Sequence, residues 1–229
     1  MYYAPSESLG RVRASASDAL WVTYRWMTLG LAVTGVVALA MAHSPGAMET
    51  LLGNPILFYG LLFGQLGLVV ALSAAATRVS TMAAAAMFFV YAAMTGVTFS
   101  TIFLVYTATS IASTFFVTAG AFAGLSAVGL VTRKDLSAMG RFAIFALFGL
   151  ILASLANLFL QSSGLQWLIT VVGILVFAGL TAYDTQRLKR IFESGAVHAN
   201  LPIVGALTLY LDFINMFLFL LRIFGGRRR

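Results

Sequence analysis

The 229-residue chain is 61% hydrophobic and only 9% charged, with a mean hydropathy of +0.97, which leaves far too little polar surface to coat a water-soluble globule. Its 14 Lys and Arg against 7 Asp and Glu give a net charge of +7, but no aromatic-flanked basic patch accompanies them, so nucleic acid is not an expected partner. The absence of cysteine excludes disulfides, thiolate metal sites and cysteine nucleophiles, and His43 and His198, the two histidines, lie in short polar connections that cannot assemble a metal cluster or a catalytic triad.

A bilayer core about 30 Å thick needs roughly 20 apolar helical residues. Seven stretches qualify: Leu20–Met41, Pro55–Ala76, Met82–Val105, Ser110–Val131, Phe142–Leu160, Leu165–Ala182 and Leu201–Phe224. The first follows residues 1–19, and its length, with another span directly after it, distinguishes it from a cleaved signal peptide despite the preceding Arg11 and Arg13. Ser44-Pro45-Gly46, Gly53-Asn54-Pro55, Ser162-Ser163-Gly164 and the charged segment Asp184–Ala199 mark breaks. Phe142–Leu160 is apolar on every face, which excludes the alternation of a transmembrane β-barrel. The expected fold is all-α: one seven-helix membrane bundle over residues 1–229, with residues 225–229 as a basic tail.

Orientation follows from the basic residues. Arg11, Arg13, Arg25, Arg78, Arg133, Lys134, Arg141, Arg187, Lys189 and Arg190 all fall on one side, while Tyr106–Thr109 and Gln161–Gly164 on the other carry no charge. The positive-inside rule therefore places the N-terminus in the cytoplasm. Arg222 and Arg227–Arg229 disagree, since seven crossings put them outside; the last helix either crosses against the rule or re-enters on the cytoplasmic face. No organelle address is visible, and a bacterial inner membrane is the expected location.

Among the seven acids, Glu7, Asp18, Glu49, Asp135 and Glu193 are terminal or in loops. Asp212 lies midway along the seventh stretch, and Asp184 closes the sixth. A carboxylate at the centre of a spanning helix costs on the order of 3 kcal/mol and normally faces the bundle interior. At about 100° per residue, Thr208, Asp212, Asn215 and Arg222 share one sector of the seventh helix, which suggests a helix wrapped by the others. Arg187 lies one turn beyond Asp184 and can pair with it; a capping role for Asp184 and a structural hydrogen bond for Asp212 are the plainer alternatives. Consecutive helices tend to be neighbours, so Asp184 and Asp212 can meet, share a proton and titrate together. Ionised, they can help hold Ca²⁺, weakly, because that ion wants six to eight oxygen ligands. Gln65, Thr95, Ser100, Asn157 and Thr181 read as interhelical hydrogen-bonders, and Gly60–Gly64 and Gly120–Gly124 as small-residue pairs permitting close helix approach.

The stretch Ala206-Leu207-Thr208-Leu209-Tyr210-Leu211-Asp212-Phe213-Ile214-Asn215-Met216-Phe217-Leu218-Phe219-Leu220-Leu221-Arg222 resembles the signature helix of the Bax inhibitor-1, or transmembrane Bax inhibitor motif, family. Ala182-Tyr183-Asp184-Thr185-Gln186, Thr132-Arg133-Lys134-Asp135-Leu136-Ser137 and Thr95-Gly96-Val97-Thr98-Phe99-Ser100 agree in order, and the likeness covers about residues 78–225. The resemblance implies seven helices around a central C-terminal one and a pH-sensitive Ca²⁺ leak, with Asp184 and Asp212 as the proton-sensing pair; the further expectation is that protonation favours the closed state. It implies a basic residue near that pair, matched by Arg78, and a closing contact between Arg222 and an acid of the second helix. Pro55–Ala76 contains no acid; Gln65 is the residue that can substitute by hydrogen bonding.

The expected function is thus a cation leak with lipid, Ca²⁺ and protons as partners, no resident cofactor and no catalysis. Two other classes stand beside it. One is an interaction partner that modulates a membrane protease or stress response without transport. The other is an intramembrane aspartyl protease, since paired aspartates on neighbouring helices can activate water; against it, Asp212 lies in Tyr210-Leu211-Asp212-Phe213 rather than Gly-x-Gly-Asp, and no Pro-Ala-Leu motif follows.

Overall fold

The computed structural model describes residues 6–74, 78–195 and 198–228, with side chains from Ala16 onward. The orienting roles expected of Arg11, Arg13 and Arg229 lie outside the described side chains. The helices are α1 (Ser6–Ala42), α2 (Pro45–Gly53), α3 (Pro55–Ala74), α4 (Thr81–Phe99), α5 (Ile102–Val105), α6 (Ala108–Val131), α7 (Ser137–Leu160), α8 (Ser163–Glu193) and α9 (Leu201–Phe224). Among the described residues, seven segments are long and apolar enough to cross a membrane: Ala16–Ala42, Pro55–Ala74, Thr81–Val105, Ala108–Val131, Ser137–Leu160, Ser163–Glu193 and Leu201–Phe224. The all-α, seven-span expectation is met. Beyond helices, the described residues form an isolated antiparallel bridge, Tyr106 to Arg227.

Several expected boundaries are corrected. Ahead of the first span, α1 already begins at Ser6, and the span itself opens at Ala16 rather than Leu20. The break at Ser44-Pro45-Gly46 opens a helix: Pro45 occupies its first turn, where a missing N–H costs nothing, and Met48 and Leu51 are buried. The third span is interrupted at Ser100 and Thr101. Ser100 Oγ donates to Val97 O at 2.6 Å and Thr101 Oγ1 to Thr98 O at 2.8 Å, local bonds that compete with regular helix. The sixth helix does not stop at Ala182. It continues through Glu193 because Leu188 and Phe192 are buried while Arg187 and Arg190 are exposed; charge on one face had the look of a loop. Within the expected basic tail, residues 225–228 are tied down: Thr107 N donates to Gly226 O at 3.0 Å and Arg228 N to Val105 O at 2.9 Å.

The chain divides into two compact units. One comprises the chain up to Val105 together with Ile191–Tyr210 and Arg228; the other comprises Tyr106–Arg190 and Leu211–Arg227. In the first unit, α1 meets α4 where Thr34 Oγ1 donates to Ala92 O at 2.9 Å and lies 2.6 Å from the Tyr210 hydroxyl. α3 meets α4 where Gln65 Nε2 donates to Thr98 Oγ1 at 2.7 Å and Thr95 Oγ1 donates to Gln65 Oε1 at 3.3 Å. In the second unit, the rings of Phe115 and Phe122 on α6 lie 5.3 and 5.6 Å from that of Phe213 on α9. The spans differ widely in burial, from 6% of the apolar stretch of α3 to 67% of that of α9, so α9 is the span most enclosed by protein.

α7 ends at Leu160 and is capped by Gln161, whose φ of 48° is left-handed. A non-glycine residue there costs roughly 1–2 kcal/mol, offset in part by Asn157 Oδ1, which accepts from Ser162 N at 3.0 Å. Gln161→Gly should raise the unfolding free energy by about 1 kcal/mol, read as a higher midpoint of thermal unfolding in detergent.

Candidate functional site

The second unit builds the site around Asp184. The carboxyl-terminal part of α8 is clamped to the end of α6 and to the connection that follows it. Gln186 donates from Nε2 to Lys134 O at 2.8 Å and accepts from Leu136 N at 2.9 Å. Lys189 Nζ donates to Leu130 O at 2.7 Å, and Thr185 Oγ1 donates to Ser126 Oγ at 3.4 Å. Just before Asp184, the backbone of α8 presses onto α6: a Cβ placed on Gly129 would lie 2.3 Å from Ala182 O. Asp184 therefore sits inside a helix whose rotation is held on both sides of it, not at a frayed end.

The connection contributes a surface ion pair. Asp135 Oδ1 accepts from Ser137 Oγ and N at 2.7 and 2.9 Å and from Arg190 Nη1 at 2.7 Å. The Ser137 hydrogen bonds first, then Arg190, pull the Asp135 carboxyl from an ordinary 3.8 down to about 2. A depressed carboxyl stabilises the fold above the unfolded value and loses that contribution as pH falls through the folded one. The thermal-midpoint difference between the wild type and Asp135→Asn should be flat above about pH 4 and vanish towards about pH 2.

α9 supplies the second carboxyl. Asp212 and Asp184 are both buried, at 4% and 8% exposure, and the two carboxyl groups hydrogen-bond to each other. Such a bond exists only while one of them carries a proton. Asp212 Oδ2 is buried and finds no hydrogen-bond partner among the described residues. The charges acting on the pair are the partner carboxyl and Arg187; Arg187 is itself exposed and reaches Asp184 through space rather than as a contact ion pair.

The remaining sequence candidates are distributed. Thr208 Oγ1 and Asn215 Nδ2 donate back to Val204 O and Leu211 O of their own helix, at 3.2 and 2.8 Å. Arg222 is exposed near the end of α9, its guanidinium 5.4 Å from the centre of the Phe219 ring. Gln65 directs its amide to Thr95 and Thr98 within the first unit, and Arg78 stands exposed in the turn between α3 and α4. Gly60, Gly120 and Gly124 face open space, whereas Gly64 lies against Met94 of α4; close approach to the backbone of another helix is made by Gly96, against Thr34 O, and by Gly129, against Ala182 O.

Sequence reasoning passed over a row of buried hydroxyls on α6: Thr114, Thr118 and Ser126. Thr118 Oγ1 donates to Thr114 O at 2.8 Å, while Thr114 Oγ1 is buried with no partner among the described residues. Their four- and eight-residue spacing is the signal that marks one helix face. Among the described residues no group of three or more His, Cys, Asp or Glu gathers to hold a metal ion, so the carboxyl pair would bind a cation only with water and carbonyl oxygens completing its shell.

Residues 17–229 match the family described as inhibitor of apoptosis-promoting Bax1. The chain is 49% identical over 228 residues to the inner membrane protein YbhL of Escherichia coli K12, covering 97% of each. It is 43% identical over 206 residues to an uncharacterized protein of Borreliella burgdorferi, covering 88% of this chain and 89% of that one. A membrane protein of Streptococcus pyogenes serotype M3 is 36% identical over 206 residues, covering 88% and 90%.

Proposed function

This multi-pass membrane protein belongs to the Bax inhibitor-1 family, and on that premise we propose that it is a proton-gated leak for Ca²⁺ or other cations in a bacterial inner membrane, with its N-terminus in the cytoplasm. The observation that carries the reading is the buried, mutually hydrogen-bonded pair Asp184 and Asp212, for which a purely structural role is a poor explanation, because one oxygen of Asp212 is left without a donor.

With a proton shared between them, the two carboxyl groups hold α8 and α9 together and the path is closed. When the proton leaves, two anions face each other. At 4 Å and an effective dielectric constant near 20, that repulsion is on the order of 4 kcal/mol, enough to shift a two-state gate. The same charge then draws in a cation, and the α6 hydroxyls Thr114, Thr118 and Ser126 offer it further oxygens. Leak rises as pH rises and falls as pH falls. Ca²⁺ is cargo here, and no residue acts as a catalyst.

Purified protein in liposomes containing a Ca²⁺ indicator tests this across pH 6 to 8. Equal flux and equal pH response in the wild type, Asp184→Asn and Asp212→Asn would remove the aspartates from the mechanism. Liposomes that stay tight to Ca²⁺, with a stoichiometric partner on purification, would favour the interaction role. The orientation has its own test. α9 is one unbroken helix of 24 residues, about 36 Å long, so a C-terminal reporter should be accessible from outside in spheroplasts; a cytoplasmic reporter would overturn seven crossings.

A further inference from the structure

In the second unit, the end where α6 and α8 begin and α7 and α9 finish holds a cleft of about 600 Å³, within the size range of small-ligand sites. Its lining includes Arg222 and Arg227 together with Tyr106, Ser163, Gln166 and Trp167. We propose that this cleft binds a phosphate group, carried by a phospholipid head group or as free phosphate, between the two guanidinium groups. This does not rest on the proposed leak.

Charge balance is the first argument. The acids of this unit are Asp135, Asp184 and Asp212; Asp135 is paired with Arg190, and the other two face each other. The connections at the cleft, Tyr106–Thr109 and Gln161–Gly164, contain no acid. Neither Arg222 nor Arg227 forms an ion pair among the described residues. Two guanidinium groups sharing a concave site without a counter-charge repel each other unless an anion enters.

The donor inventory is the second. Arginine and the tryptophan indole donate and do not accept. Gln166 Oε1 already accepts from Asn157 Nδ2 at 3.3 Å, so its NH₂ group is what it offers the cleft. Thr170, also in the lining, donates its hydroxyl proton to Gln166 O at 2.8 Å and adds no donor. The donors come from α8, from the end of α9 and from the strand-like stretch after it, three directions that suit a tetrahedral oxyanion better than a flat carboxylate.

The third argument is that the arginines are held in place. The Arg222 guanidinium lies 5.4 Å from the Phe219 ring centre, a stacking that leaves its N–H edge available. Arg227 is pinned through its backbone by the bridge to Tyr106, supported by Gly226 N donating to Ser110 Oγ at 2.9 Å. That fold-back requires Gly225, where a Cβ would lie 2.4 Å from the Tyr106 ring. Trp167 and Tyr106 are residue types that settle at the head-group level of a bilayer, and basic pockets between membrane helices hold lipid phosphates.

The test uses the full chain in an uncharged detergent, reading the thermal midpoint against short-chain phosphatidylglycerol, inorganic phosphate, a short-chain glycolipid without phosphate, and NaCl at matched ionic strength. A saturable rise with phosphatidylglycerol alone assigns the site to a lipid head group, and a rise with inorganic phosphate as well assigns it to phosphate from either source. Arg222→Gln and Arg227→Gln should each raise the half-saturating concentration about tenfold. Arg227→Lys should fall between, and Arg228→Gln, outside the lining, should match the wild type. If Arg222→Gln does not fold, Arg227→Gln on the exposed stretch after α9 carries the test. The proposal is overturned if neither phosphate probe gives a saturable rise, if the glycolipid does as well, or if Arg228→Gln weakens binding as much as Arg227→Gln.

Discussion

Asp212→Asn should flatten the pH profile of Ca²⁺ leak and hold the flux near background from pH 6 to 8. Asparagine has the size of the protonated side chain and carries no titratable proton, and its amide can donate to Asp184 at every pH. A gate linked to one proton can change its open-to-closed ratio by at most about tenfold per pH unit. The wild type therefore has room for up to roughly a hundredfold change across that interval, and the variant should change by less than about twofold. Asp184→Asn should behave alike, and the double variant should add little, since either single change already removes the repulsion that opens the pair. Asp212→Glu keeps a titratable group and should keep a pH response with a displaced midpoint. A further readout separates gating from damage: Asp212→Asn should raise the thermal midpoint at pH 8, because it removes the cost of two ionised carboxyls in a buried site. A variant that lost leak through misfolding would show the opposite shift.

The second large effect is at Gly129. Leucine there should destabilise the protein by about 3 kcal/mol, because overpacked contacts cost roughly 1–3 kcal/mol and more when the obstacle is backbone. The obstacle here is Ala182 O, 2.3 Å from the position of a Cβ, with Thr185 Cβ at 3.0 Å. Neither can rotate away as the tip of a long side chain would. Relief requires α8 to move off α6 just before Asp184, so the pH midpoint of leak should shift along with stability. Gly120→Leu supplies the control: nothing lies within 4 Å of that position, and its thermal midpoint should stay close to the wild type in the same detergent assay.

Much of this was legible in the residues, and the exceptions have physical causes. Asp212 stood out because a carboxyl in the middle of Leu201–Phe224 is costly wherever the helix goes. The extension of α8 to Glu193 did not stand out, because Leu188 and Phe192 among charged neighbours form an amphipathic face only if something covers it. Likewise, Pro45 reads as a breaker from sequence, and becomes the first turn of α2 once Met48 and Leu51 have a place to be buried. Gly120 and Gly124 carry the same small-residue spacing as helix contacts elsewhere, yet they face open space, while Gly129, with no such pattern, touches the backbone of a neighbouring helix; spacing describes a helix surface and says nothing about which side meets a neighbour.

By itself the sequence determined the solvent, the number of spans, and the two aspartates that lipid cannot tolerate alone, all of which follow from transfer energies of single residues and need no partner. Only the tertiary structure decided that Asp184 and Asp212 bond to each other, that Gln65 turns to Thr95 and Thr98, and that Arg222 and Arg227 line one cleft with no acid among its described lining residues. Those are pairings between elements distant in the chain, set by which helix faces pack, and no local periodicity encodes them.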